Sequence, residues 1–488
     1  MNLDIPSYLL GQQSGGRGES TLINKTITKN GTYNASSDHA DGYKKVAVLV
    51  KPPLENNKQG TILGTGGKTF YVDDDKYYGI GSIYVEGISA PQKDVNFIDY
   101  DGTILYSYTA QEALELSTLP SLTPHFYHNP RLDPSDWNWT LQEIKNQLAT
   151  YGGPIWVGAT YTARVGHFGA YIKITLTKDL LNPILTFAIN GTAYIDWGDE
   201  TPETTVSGES TIIPLNIPHT YSSSGDYIIS IRPDSGAYIY FTSEGGTYSN
   251  LTLLHKNMNI YENFAYANCV KEIYLGASTV LSNKAFTNCL GLKYVIIHPQ
   301  ANYLDQGTDQ FANCISLVSI TMPRKYGIPP GYTDYIRENM FKNCHSLKTI
   351  STPQAIQRSN ASAFENCKSL ISTNAITPNQ NMYNSCNCLS MVTLKEGLSG
   401  ISNHAFYDCW SLSSITIPST VEIISSNAFA GCSGVKEYHV KPTTPPILFE
   451  NPFTGIASDC IIYVPAASVS RYKSAEIWSN YANQIQGE

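Results

Sequence analysis

The stretch Ala405-Phe-Tyr-Asp-Cys-Trp-Ser-Leu-Ser-Ser-Ile-Thr-Ile-Pro418 decides the fold, because its chemistry recurs. An aromatic residue stands three positions before a cysteine in Tyr266/Cys269, Phe286/Cys289, Phe311/Cys314, Phe341/Cys344, Phe364/Cys367, Tyr383/Cys386, Phe406/Cys409 and Phe429/Cys432. Three residues after the cysteine comes Leu292, Leu317, Leu347, Leu370, Leu389, Leu412 or Val435. Six after it comes Leu275, Val295, Ile320, Ile350, Val392, Ile415 or Tyr438, with Thr373 as the exception, and a proline closes several units (Pro299, Pro323, Pro353, Pro418). The cysteines are separated by 20, 25, 30, 23, 19, 23 and 23 residues, a period in the range of stacked solenoids. One such unit cannot bury its own aromatic, cysteine and leucine, whereas stacked units share one continuous core. The alternating run Ile415-Thr-Ile417 predicts a short strand in each turn of the coil.

This pattern resembles the BspA-like leucine-rich repeats of bacterial surface proteins and their phages, over about residues 250 to 465. The tail from Ile461 to Val464, continuing through Ser468, Tyr472, Trp478 and Tyr481, resembles the helical cap that ends such arrays. A polar-faced cap is what a solenoid needs to avoid end-to-end association. Cysteines at one phase of a repeat read as small buried hydrophobes rather than disulfides or ligands. Cys386 and Cys388 form a C-x-C pair, but no second pair or histidine stands at zinc-ligand spacing, so no metal site is expected.

Composition narrows the function. The chain of 488 residues has 32 Lys and Arg against 41 Asp and Glu, a net charge of −9, and only 15% charged residues. Its length suggests roughly three domains. So little clustered positive charge argues against nucleic acid, and no apolar run approaches the length of a membrane-spanning helix. The opening Met1 to Gly11 shows no basic segment, long apolar segment or cleavage site of a secretory signal. Yet 34 tyrosines and abundant Ser, Thr and Asn suit an externally displayed β protein. Together these features predict a virion protein, made in the cytoplasm and later exposed outside the cell.

The cysteine-free half reads as β-rich modules. Thr28 to Tyr43 with Val46, Val48 and Val50 predicts a hairpin-like module, and Leu54 to Gly67 a linker. This opening resembles the N-terminal regions of bacteriophage tail and minor structural proteins. Residues 95 to 165 predict a small α+β module, with strands at Val95 to Tyr100 and around Ile155 to Val157 and helices at Ala110 to Leu116 and Thr140 to Leu148. Tyr194-Ile-Asp-Trp-Gly-Asp-Glu200, followed by His219-Thr-Tyr221 and Gly225-Asp-Tyr227, resembles a PKD-like β-sandwich, with Glu200 where that family usually has glycine. The resemblance implies a spacer or adhesion element in which Asp196, Trp197, Asp199 and His219 are structural. The resulting fold is mainly β and multidomain: residues 1–60 an attachment region and linker, 61–165 β-rich and small α+β modules, 166–248 the sandwich, 249–465 the solenoid and 466–488 the cap.

Phe97-Ile-Asp-Tyr-Asp-Gly-Thr-Ile-Leu105 matches the first motif of haloacid-dehalogenase-like phosphatases, with Asp99 as nucleophile and Asp101 as general acid. The parallel α/β sheet such an enzyme needs is not written in the following residues, and an Asp-Gly turn in a hairpin accounts for the motif. Asp73-Asp-Asp75 lacks the alternate spacing of a calcium loop. No catalytic residue and no cofactor are therefore expected. The expected function is a phage tail or head fibre component that recognises a host-surface protein or glycan through its repeats. Its N-terminus would meet other virion structural proteins, and the chain would form a homo-oligomer. A bacterial BspA-like surface adhesin is the alternative. Two surfaces are expected to bind. One is the insertion of the 30-residue interval, with Tyr326, Tyr332 and Tyr335; its rings and hydroxyls suit recognition. The other is the outward strand face, with Tyr274, Tyr294, Ile296, Ser319, Thr321, Thr349, Ser351, Ser414 and Thr416.

Overall fold

The computed structural model describes residues 20–25, 31–34, 43–50, 61–67, 69–72, 80–88, 93–122, 131–164, 169–241, 248–253, 258–260, 270–276, 281, 283–299, 307–322, 335–352, 358–373 and 377–488. The protein divides into two compact units, Met1–Gln92 and Lys93–Glu488. In the first, β1 (Ser20–Lys25), β6 (Ile80–Ile88), β3 (Tyr43–Val50) and β4 (Thr61–Gly67) form an antiparallel sheet in the order β1-β6-β3-β4. The strands β2 (Gly31–Asn34) and β5 (Thr69–Val72) form a separate pair. The hairpin expected over residues 28–50 thus does not close on itself. Val46 and Val48 of β3 stand opposite Val85 and Ile83 of β6, and β2 pairs with β5 instead. The linker expected at Leu54 to Gly67 is in its second half the strand β4, whose Thr-Ile start favours extended backbone.

The second unit opens with the α+β module. Strand β7 (Val95–Ile98) pairs antiparallel with β8 (Ile104–Tyr108) and parallel with β10 (Ile155–Ala163), which pairs antiparallel with β9 (Leu132–Trp137). The helices α1 (Ala110–Glu115) and α2 (Leu141–Tyr151) each start at a threonine followed three residues later by glutamate. Thr109 with Glu112 and Thr140 with Glu143 close reciprocal capping boxes that satisfy two otherwise orphaned N–H groups each. Phe97, Trp137, Trp139, Ile144 and Val157 form the module's core.

Next come β11 (Ala170–Leu176), β12 (Ile184–Asp196), β13 (Thr204–Pro218), β14 (Gly225–Pro233), β15 (Tyr238–Phe241) and β16 (Tyr248–Leu253). Along one side β12 pairs with β13; along the other it pairs first with β15 and, past Gly191, with β14. Gly191 has φ +116° and an added Cβ would meet Ala237 at 2.8 Å, so this crossing point requires glycine. Glu200 adopts φ 64°, so this turn has a left-handed residue without the glycine that favours it. Trp197 stacks on His219 with ring centroids 4.3 Å apart, and His219 bonds Asp199 at 2.8 Å. Thr201 donates to the same carboxylate at 2.6 Å. Hydrogen bonds from Thr201 and His219 hold the Asp199 carboxyl below its ordinary value, against burial, which would raise it.

Strand β16 joins this region to the solenoid: it pairs antiparallel with β11 and parallel with Glu272–Leu275, the strand of the first described turn. That parallel ladder continues through Tyr294–Ile297, Ser319–Thr321 and Thr349–Ser351. One apolar core therefore runs from Ala170 to Ile485. The compact unit 93–488 spans segments that the sequence reading treats as separate.

Within the solenoid the described turns from Phe286 to Phe429 repeat one construction. Phe286, Phe311, Phe341, Phe364, Tyr383, Phe406, Phe429 and Phe453 stack face to face with centroids 5.3 to 5.7 Å apart. Phe406, Cys409, Leu412 and Ile415 are all buried in one rung, as expected. The nine described cysteines carry no disulfide. From Cys314 to Cys432 the thiols in phase with the repeat donate to the carbonyl of the preceding rung's aromatic residue, as Cys409 Sγ does to Tyr383 O and Cys432 Sγ to Phe406 O, both at 3.0 Å. Cysteine is thus small enough for the stack and still supplies a donor. Two positions per turn are left-handed, five and one before the cysteine, for example His404 at φ 54° and Asp408 at φ 57°. Asparagine fills the second in Asn288, Asn313, Asn343 and Asn366, whose amides bond one to the next at 2.7 to 2.8 Å. Asparagine tolerates that backbone and caps it with a side-chain ladder. The tail forms 3-10 turns, α3 (Val469–Ser474) and a last strand, Ile485–Gly487, paired parallel with Ile461–Val464. Tyr472 and Trp478 anchor it by donating to Pro442 O at 2.7 Å and Pro446 O at 2.8 Å.

Candidate functional site

The strand face, expected to point outward along the whole solenoid, is split in two. Over the first rungs it is covered by the α+β module. Tyr274, Ile296, Ser319, Thr321, Thr349 and Ser351 are buried, and Tyr294 is half-buried with its ring edge-on to Tyr100 at 5.8 Å. Tyr274 and Ile296 belong to the module's own core. These residues look outward within their strands, but the layer they face is protein rather than solvent.

The interface is specific. Asn138 donates to Met322 O at 3.0 Å and accepts from Ser351 Oγ at 2.9 Å, and Ser351 Oγ lies 2.6 Å from Trp156 O. Trp156 Nε1 donates to Ser372 Oγ at 2.7 Å, and Ser319 Oγ donates to Tyr100 O at 2.7 Å. At Gly158 a Cβ would meet Thr321 Oγ1 at 2.1 Å, so the backbone there must lack a side chain. The hydroxyls of Ser319 and Ser351, expected to bind a ligand, instead bond to Tyr100 O, Asn138 and Trp156 O, while Thr349 Oγ1 is buried in the same seam without a hydrogen-bond partner.

The phosphatase-like motif lies under the same interface. Asp99 is buried and accepts from the Tyr161 hydroxyl and from Tyr100 N at 2.8 Å. Burial and the neighbouring Asp99 carboxylate push the Tyr161 phenol well above its ordinary value. Asp101 accepts from Thr103 N at 2.9 Å within a turn completed by Gly102 at φ +85°. Both carboxylates thus serve the β7–β8 hairpin, and the sheet order β8-β7-β10-β9 is not a parallel α/β sheet.

Beyond the module the strand face is open. Ser414 and Thr416 are exposed, in register with Glu437 and His439, and His439 is followed by Tyr463 and Gln486. The His439 and Tyr463 rings stack with centroids 5.1 Å apart. Glu488 accepts from Lys441 at 2.5 Å and bonds His439 at 2.8 Å. Burial alone would raise the Glu488 carboxyl, but hydrogen bonds from Lys441 and His439 hold it below its ordinary value. Of the residues expected to bind, only Thr416 and Ser414 lie on this open patch. Glu437 and His439 occupy the same offsets after Cys432 and were legible by extending the count one rung. Tyr463 was not, because its rung has no cysteine in phase. Tyr326 and Tyr332 lie outside the described residues, as do the side chain of Tyr335 and the acidic run 73–75. Among the described residues no group of His, Cys, Asp and Glu is placed to hold a metal ion, and no helix is long and apolar enough to cross a membrane.

The model of the BspA type leucine rich repeat region matches residues 247–370 and 328–436, in six copies. Similar solved structures include a leucine-rich repeat protein from Bacteroides ovatus ATCC 8483, with 17% identity over 48% of this chain and 76% of that one and a TM-score of 0.28. A leucine rich cell surface protein from Faecalibacterium prausnitzii A2-165 shares 16% identity over 53% of this chain and 83% of its own, with a TM-score of 0.27. The T. pallidum leucine rich repeat protein shares 18% over 51% and 90%, with a TM-score of 0.23. No curated protein matches. The phase of aromatic, cysteine and leucine in the coil and the matched family model agree: the chain carries BspA-type leucine-rich repeats.

Proposed function

We propose that this chain is a surface-recognition protein that binds a protein or glycan partner through the open strand face of its last rungs, around Ser414, Thr416, Glu437, His439 and Tyr463. One observation carries the reading: the same face, four rungs earlier, already holds a folded module by side-chain hydrogen bonds and aromatic contacts. Its continuation offers hydroxyls, a carboxylate and a stacked aromatic pair to solvent, the mixture that suits polar, adaptable recognition. The display site follows from the sequence reading: a virion fibre or spike whose N-terminal unit docks on the particle. A bacterial surface adhesin would use the same face.

The test is binding of the labelled chain to intact bacterial cells, with and without Thr416→Ala, His439→Ala and Tyr463→Ala combined. The triple variant is expected to fold and to lose most binding. Undiminished binding would exclude this face. Protease or periodate treatment of the cells separates a protein partner from a glycan, and imaging of purified particles with a labelled antibody separates virion from cell surface.

A further inference from the structure

On the open strand face a histidine is fixed between two carboxylates. An ionised carboxylate can only accept, so His439 Nδ1 carries the proton in its 2.8 Å bond to Glu488 Oε2. The other oxygen of that carboxylate accepts from Lys441 Nζ at 2.5 Å. The imidazole is also held by its face, stacked on Tyr463 with centroids 5.1 Å apart and planes within 15° of parallel. Its orientation is thus set from two sides, and Nε2 is left to face Glu437 Oε2 at 3.5 Å, beyond the length of a charge-assisted hydrogen bond. Glu437 is exposed and, among the described residues, its carboxylate makes no hydrogen bond.

In the neutral ring Nε2 is an acceptor, as the Glu437 carboxylate is. Two acceptors 3.5 Å apart leave a place for one donor that bonds both. A hydroxyl has a single proton and serves only one of them, whereas an ammonium group has three. Charge selects in the same direction, since Glu437 and Glu488 outnumber Lys441 around the ring. Ser414 and Thr416 are exposed one rung earlier, in register with Glu437 and His439 and about 5 Å away along the solenoid axis. They offer hydroxyls beside the place for the cation. We propose that this spot is an amino-sugar subsite, the ammonium group of the sugar seated between Glu437 and His439 Nε2 and its ring hydroxyls over Ser414 and Thr416. The ligand is then a glycan with free amino groups; acetylation removes the charge and leaves one N–H, which cannot serve both acceptors. The inference rests on the recognition face proposed above and names what that face takes.

Calorimetric titration of the full chain at pH 7 with glucosamine oligomers, and with N-acetylglucosamine oligomers of equal length, tests it. The free-amine series is expected to bind about tenfold more tightly or better. Glu437→Gln should abolish that preference by weakening the free-amine series alone. Glu422→Gln, at an exposed carboxylate beside a strand of another sheet, should change nothing. Equal affinity for the two series overturns the proposal, and this comparison on the unmodified chain does not depend on a variant folding. A preference that survives Glu437→Gln overturns it as well. If a lysine-rich peptide displaces the oligomer as effectively as free oligomer does at equal ammonium concentration, charge alone is read and the assignment to a sugar fails. The cell-binding assay keeps this apart from the wider reading: if Thr416→Ala, His439→Ala and Tyr463→Ala together abolish attachment while glucosamine oligomers neither bind nor compete, the face stands and its amino-sugar subsite falls.

Discussion

Tyr383 and Thr373 show how single residues depart from the repeat together. Tyr383 is a hydroxylated member of an otherwise phenylalanine-rich stack, and Thr373 is the polar exception six residues after Cys367. Both are buried, and their hydroxyls share a hydrogen bond of 2.8 Å. Two exceptions in neighbouring rungs are thus one compensated pair. Tyr383→Phe or Thr373→Val alone strands a buried hydroxyl and should cost about 1 to 3 kcal/mol, whereas the double variant should be nearly neutral. Chemical denaturation of the four members of the cycle checks this; additive losses would mean the hydrogen bond carries no coupling. The cysteines follow the same logic of position. Burial raises the Cys344 and Cys432 thiols far above their ordinary value, and Cys460 is pushed up to about 11. The phase of these cysteines was legible in the sequence because every rung writes it again. The left-handed position one residue before the cysteine is periodic as well, but it is filled by asparagine in some rungs and by Ser385, Asp408 and Gly431 in others, so it carries no apolar signal.

Elements tell a different story, because the docking of the α+β module leaves no periodic trace. Ser319, Thr321, Thr349 and Ser351 have the composition of an ordinary wet strand face. What covers them, Asn138 and Trp156, lies about two hundred residues earlier in the chain, and a contact of that span is not written in local spacing. The module's own elements were legible, since capping boxes and the Asp-Gly turn are local. Two predictions test the docking. Gly158→Ala drives a methyl group into Thr321 and should cost about 1 to 3 kcal/mol, with faster hydrogen exchange in β10 and in strand Ser319–Thr321; unchanged exchange would mean the approach is not tight. The second concerns Glu272, buried on the first described rung in register with Tyr294, with burial pushing its pKa up to about 7. The folded chain then holds this proton when the unfolded chain has released it. Stability is full below the ordinary carboxylate range, falls as pH rises towards 7, and levels off above, for a loss of at most about 3 kcal/mol. Denaturation midpoints at pH 5 and pH 8 should differ in that direction, and Glu272→Gln should remove most of the difference.

At the scale of the molecule, the continuous core from Ala170 to Ile485 and the ladder from β16 into the first rungs decide how the second unit loses its structure. A solenoid with contacts only between neighbouring turns has stability set by its interfaces, and a weak interface in the middle can uncouple the two ends. Here the N-terminal end is closed by β11 to β16 and the first rungs are clamped by the module, while the C-terminal end is closed by α3 and the last strand. The rungs between Cys386 and Cys432 have neither support. Phe406 sits in that stretch, stacked between Tyr383 and Phe429 at 5.4 and 5.3 Å. Phe406→Ala removes both ring contacts and should cost about 3 to 5 kcal/mol, and the distribution of that loss is the informative part. If nearest-neighbour coupling governs, hydrogen exchange should accelerate most in strand Ser414–Ile417 and in the adjoining strand Glu437–Val440. It should accelerate less at Ile461–Val464, and hardly at all in β14, which belongs to the same core but is clamped from the other end. Equal acceleration everywhere would instead show that residues 93 to 488 open as a single cooperative body. The clamped rungs would then owe their order to the whole chain rather than to the module lying on them.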